Sequence, residues 1–179
     1  MQSIVNTVSM KSGYQRLRAG RWSANGHIYF VTFNTYDRRK LFSDPAIATD
    51  AARLIHETGQ RLDGAVIAWV LMPDHFHGLI EVGTGISLSA YVGRLKGAVS
   101  RRLRLLHPHL PVVWQDGFHD RAIRGAESID SVACYLLMNP IRAGLVADFS
   151  HYPYWHCAWP VPNISMAAID PFADSSSRG

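Results

Sequence analysis

With 179 residues and 47% hydrophobic composition, the chain has enough apolar material to bury the core of one ordinary globular domain, and nothing in it calls for a second. No apolar run reaches the roughly 18 residues of a membrane helix, residues 1–20 lack the apolar stretch of an export signal, and Cys134 and Cys157 form no C-x-x-C pair; a cytoplasmic protein without a disulfide framework or thiolate zinc site is expected. The net charge of +4 comes from two basic blocks, residues 1–40 with seven Lys and Arg against one Asp and residues 91–125 with seven against two, while the stretches 41–90 and 126–179 are acidic. Brought together by folding, these blocks would attract a polyanion, most simply nucleic acid; left apart, they are ordinary solvated charge.

In chain order, "HIYFVTFNTY" (27–36) is rich in aromatic and β-branched residues and reads as a strand closed by the charged turn "DRRK". Ser43 or Asp44 before Pro45 marks a helix start, and Ile47, Ala51, Leu54 and Ile55 keep helical spacing. "GAVIAWVLM" (64–72) reads as a buried strand, Pro73 and Asp74 turn the chain, and "HFHGLIEV" (75–82) reads as its partner. From Ser87 a second helix puts Leu88, Tyr91, Val92, Leu95, Val99, Leu103 and Leu106 on one face and Arg94, Arg101 and Arg104 on the other. After "HPHLP", residues 112–124 read as extended, and a third helix covers Glu127 to Met138. The order predicts an α+β fold, a ferredoxin-like split βαβ arrangement with helices packed on an antiparallel sheet. Residues 1–159 form one domain with a basic N-terminal segment, and 160–179, with "PVPN" and "SSSRG", form a loose tail.

Two constellations carry chemistry. On a strand, His75 and His77 project from the same face while Phe76 points to the other, so two imidazoles stand side by side, either as a metal clasp or as a pair of surface or satisfied core histidines. A histidine-triad nucleotide hydrolase would want a third histidine at Leu79 and is disfavoured. On the third helix, Ile129, Val132, Ala133 and Leu136 share an apolar stripe, with Tyr135 on its flank and Asn139 four residues on. That arrangement either presents a phenol and an amide oxygen together or is simple packing, and Pro140 bears on the last turn.

These stretches resemble a known family. "VLMPDHFHGLIE" is similar to the His-hydrophobic-His motif of the HUH endonucleases, and "WQDGFHDRAIR" and "YLLMNPIRAGLV" resemble the later motifs of REP-associated tyrosine transposases, relatives of the single-tyrosine insertion-sequence transposases. "GRWSANGHIYFVTFNTYDRRKLF" and "LSAYVGRLKGAVSR" match as well, so the resemblance covers about residues 14–157. Asp74 departs from it, standing where an asparagine is common.

The resemblance implies a metal-dependent single-stranded DNA endonuclease and strand transferase that acts on hairpin-forming repeats. Under it, His75 and His77 hold a divalent metal, Mg or Mn, with Asn139 as a candidate third ligand; Tyr135 is the nucleophile and forms a 5′-phosphotyrosine. Arg16, Arg18, Arg21, Arg94, Lys96 and Arg101 would contact DNA, and Trp22, Tyr29 and Trp114 are candidates for base stacking. No nucleotide cofactor is implied. A hairpin-binding protein or regulator that does not cleave is the alternative, and an RNA-directed nuclease with the same site is a third reading. The REP-associated branch, with the short link from Arg124 to Glu127, favours a monomer over a helix-exchanging dimer.

Overall fold

The computed structural model describes residues 27–124 and 128–160. The expected DNA contacts Arg16, Arg18 and Arg21, with Trp22, and the tail from residue 161 on lie outside the described residues.

Strand β1 (His27–Asn34) is followed by helix α1 (Pro45–Gly59), the hairpin β2 (Gly64–Met72) and β3 (His75–Val82), helix α2 (Leu88–Leu106) and strand β4 (His119–Ala122). Helix α3 (Ile129–Leu137), the single turn α4 (Asn139–Arg142) and a short strand β5 (Trp155–Cys157) complete the described chain. The sheet order is β4-β1-β3-β2-β5 with every neighbouring pair antiparallel. Strands β1 and β2 are therefore parallel and separated by β3, and β3 and β4 are parallel and separated by β1. This is the expected ferredoxin-like interleaving of two split βαβ units, with β5 added as an edge.

Local chemistry sets the helix starts. Asp44 accepts from the Ala46 and Ile47 amides at 2.9 and 3.4 Å with Pro45 in the first turn, Ser87 accepts from Ala90, and Ser128 accepts from Ser131. The alternation of the strands then divides the core. Val31, Phe33, Phe76, Ile80 and Val82 face α1 and α2, while Ile28, Leu79, Val70 and Met72 face α3. Between α1 and α2, Arg102 donates to Glu57 at 2.8 Å and His107 pairs with Asp50 at 2.9 Å.

Four expectations shift. Strand β1 ends at Asn34, because Thr35 bridges to Trp114 and the backbone then turns through positive φ at Asp37 and Arg38. Leu106 is half exposed at the end of α2, past the last turn that meets the sheet. Within 112–124 only His119–Ala122 form a strand, paired with β1, while Trp114 makes an isolated bridge to Thr35. Trp114 is buried and packs perpendicular to Phe33 with ring centroids 4.8 Å apart, so of base stacking and core packing it takes the second.

Gly78 fixes how tightly β3 packs. The Phe76 ring stacks on Phe33 at 4.6 Å and lies over Gly78, where an added Cβ would meet it at 2.6 and 2.7 Å. Gly78→Ala is accordingly expected to lower stability by about 1–3 kcal/mol, as overpacking of a full core does. The check is the urea midpoint of unfolding; an unchanged midpoint contradicts this packing.

Candidate functional site

The β1–β3 register sets Asn34 opposite His75 and Thr32 opposite His77, on the sheet face that carries α3. The Nε2 atoms of His75 and His77 approach to 3.0 Å. Behind them, His75 Nδ1 lies 2.5 Å from Asp74 Oδ1, and His77 Nδ1 lies 2.7 Å from Thr32 Oγ1. An ionised carboxylate only accepts, so His75 carries its proton on Nδ1 and its Nε2 lone pair faces His77. Thr32, whose hydroxyl donates or accepts, permits either tautomer of His77.

Burial, and then the nearby positive charge of His75, Arg142 and Arg38, push the His77 imidazole down to about 3, against the raising effect of Asp74. It is neutral at physiological pH, the state in which imidazole binds a metal. Two nitrogens about 3.0 Å apart match the edge of an octahedron with bonds of about 2.1 Å. The donor set therefore fits a divalent cation. Among the described residues no group of three or more His, Cys, Asp and Glu is placed to hold an ion, so further positions would fall to neutral oxygens, water or a phosphate. Asp74 turns its carboxylate to His75 Nδ1, the nitrogen remote from His77, and to Arg38, 3.5 Å away, and so orients the His75 ring.

Helix α3 buries Ile129, Val132, Ala133, Leu136 and Leu137 and leaves Tyr135 half exposed on its flank. The helix stops at Leu137, and α4 begins at Asn139 with Pro140 next. Even across this break Tyr135, Asn139 and His77 line one cleft of about 370 Å³, together with Thr32 of β1 and His119 and Arg121 of β4. His119, Thr32 and His77 form one cross-strand row. Asn139 does not present a free amide, because its Nδ2 donates to the Leu136 carbonyl at 2.7 Å and its Oδ1 accepts from Arg142 at 2.8 Å. The Arg142 guanidinium also stacks on Tyr135, 3.7 Å from the ring centroid.

The structure does not bring the α2 cations to this cleft, since α2 packs on the opposite sheet face. Arg94 and Arg101 are exposed and line a separate groove of about 590 Å³ with Gly93 and Gly97. Lys96 donates to the carbonyls of Gln115 and Gly117 at 2.6 and 2.7 Å over the Phe33 ring, and burial lowers its pKa; it pins the segment leading to β4. Tyr29 packs at the edge of the α1–α2 core.

Thr32 and Arg142 escaped the sequence reading. Thr32 gives no signal until the register is known. Arg142 does: seven residues after Tyr135 returns to nearly the same helical direction at about 100° per residue.

Comparison with known proteins gives the fold and the family. Among solved structures, a REP-associated tyrosine transposase bound to a REP hairpin superposes with a TM-score of 0.63 at 21% identity, covering 84% of this chain and 92% of that one. A protein described as a transposase of Deinococcus radiodurans superposes with a TM-score of 0.52 at 19% identity, covering 70% and 89%. At such identities the likeness shows the fold, an antiparallel sheet with packed helices of the HUH type. No curated protein matches the sequence. The family model for IS200-like transposases matches residues 22–139, from before β1 through both histidines to Tyr135 and Asn139, and the chain belongs to that family.

Proposed function

We propose that the protein is a metal-dependent endonuclease and strand transferase for single-stranded DNA beside hairpin-forming repeats, working through a 5′-phosphotyrosine. The observation that carries the reading is the approach of the His75 and His77 Nε2 atoms to 3.0 Å, with His77 and the half-buried Tyr135 lining one cleft. The solved relative bound to a REP hairpin supports the choice of substrate.

The reaction follows from what the residues offer. The Tyr135 oxygen attacks the scissile phosphorus, the P–Oη bond forms as the P–O3′ bond breaks, and the proton lost by the phenol is balanced by one gained on the 3′-oxygen. The products are a 5′-phosphotyrosine and a free 3′-hydroxyl, and attack of a 3′-hydroxyl on the phosphotyrosine reverses the step and joins strands without a nucleotide cofactor. A divalent cation on His75 and His77, with Mn held more tightly than Mg by imidazole, supplies Lewis acidity that polarises the phosphate and offsets its developing charge. Asp74 and Thr32 hold the two rings in place for it. Between a helix and a sheet, the cleft admits one strand, so the bond to be cut lies in unpaired DNA.

Tyr135→Phe removes one oxygen, so folding and hairpin binding are expected to persist while cleavage and the covalent adduct disappear on a denaturing gel. Undiminished adduct takes Tyr135 out of the mechanism.

His75→Ala, His77→Ala or EDTA should each abolish cleavage. Thr32→Val, which cannot bond His77 Nδ1, should weaken Mn²⁺ binding about 10- to 100-fold in a titration followed by electron paramagnetic resonance. Equal affinity of Thr32→Val and the unmutated protein contradicts its orienting role.

Helix α3 packs on the sheet of its own chain, and we propose that one chain completes the site. Mixing His77→Ala with Tyr135→Phe should then restore no cleavage; recovered activity would show that the tyrosine serves a partner's histidines.

A further inference from the structure

Arg142 holds both groups that line the cleft with His77. Its guanidinium stacks on the Tyr135 ring at 3.7 Å, and its Nη2 donates to Asn139 Oδ1 at 2.8 Å. Its charge also bears on His77, helping to keep that ring neutral. The Asn139 amide is fixed at both ends: guanidinium only donates and so demands the oxygen, while the Leu136 carbonyl only accepts and demands the nitrogen, 2.7 Å away. In this arrangement the amide oxygen is not available to an ion at the histidine pair.

Building on the nuclease reading above, we propose that Arg142 is a phosphate clamp that also gates Asn139. A scissile phosphate entering the cleft offers the guanidinium two charged oxygens in place of one neutral amide oxygen, and charge-assisted, bidentate pairing is the stronger. The planar guanidinium can swing to the phosphate while remaining stacked on Tyr135, which keeps the phosphate beside the attacking oxygen. The move frees Asn139 Oδ1 toward His75 and His77. Arrival of DNA and completion of the ligand set become one event, so the protein without DNA holds its ion weakly.

The test is Mn²⁺ binding, read by electron paramagnetic resonance, with and without a hairpin carrying an unpaired flank; Tyr135→Phe, which keeps the ring, prevents turnover. The flanked hairpin should tighten Mn²⁺ binding. Arg142 is exposed, so Arg142→Ala is compatible with folding. It should tighten Mn²⁺ binding in the DNA-free protein about fivefold, the worth of one net hydrogen bond released. It should also remove most of the DNA-induced gain and slow single-turnover cleavage at saturating DNA. Adding Asn139→Ala to Arg142→Ala should erase the fivefold gain. Unchanged or weaker Mn²⁺ binding by DNA-free Arg142→Ala overturns the gate while the histidine clasp stands. Equal Mn²⁺ binding by the unmutated protein and His77→Ala overturns the clasp itself, and the gate with it.

Discussion

The antiparallel register between β1 and β3 is the constraint on which the rest depends. It sets Thr32 against His77 and Asn34 against His75 on one face, and Phe33 against Phe76 on the other. A slip of one residue would turn both histidines into the α1–α2 core and expose the stacked phenylalanines. The register is held from the core side, where Phe76, Phe33 and Trp114 interlock and Gly78 leaves room for the Phe76 ring. The precision of the histidine pair is thus supplied by apolar packing on the face opposite the chemistry.

The two faces of the sheet are unequal, and the inequality makes the cleft. Helices α1 and α2 cover one face fully, with ion pairs between them. The nine-residue helix α3 packs on the other chiefly over β2 and β3, and the four-residue β4 lies at the edge of the sheet beyond β1. Polar side chains on that side, His77, Thr32 and His119, fall in one cross-strand row that lines the cleft with Phe30 and Tyr135. The same division separates Arg94 and Arg101 from the cleft by the thickness of the sheet. A strand cut at Tyr135 would reach those arginines only by passing around an edge, so they belong to a different part of any nucleic-acid surface than the scissile phosphate.

Much of this was legible in the sequence, for identifiable reasons. The hairpin from Gly64 to Val82 has strong β-formers and a Pro-Asp turn, so its bounds and the common face of His75 and His77 followed directly. The start of α1 followed from Asp44 and Pro45, and the apolar stripe of α3 left only its flank for Tyr135. What stayed hidden depends on contacts between distant segments. Lys96 reads as an exposed cation from its helix but meets two carbonyls of the segment before β4, and Trp114, open between base stacking and core, closes on Phe33. Asn139 lines one cleft with Tyr135, yet its engagement with Arg142 shows only in the structure.

The groups behind the two imidazoles explain how the rings can stand so close. Two buried lone pairs facing one another at 3.0 Å would repel. The polar partners resolve this as a directional chain: Thr32 donates to His77 Nδ1, His77 Nε2 donates to His75 Nε2, and His75 Nδ1 donates to Asp74. Every polar atom in it is satisfied. Under the proposed function, a cation on the two Nε2 atoms would require only that the proton between the rings leave, that His77 take its proton on Nδ1, and that the Thr32 hydroxyl turn from donor to acceptor. No heavy atom in the chain need change place. A valine at 32 would keep the strand and the shape but allow neither state, and an aspartate there would hold only the tautomer that binds metal. A hydroxyl is the group that serves both, which is the physical reason for a threonine amid the aromatic residues of β1.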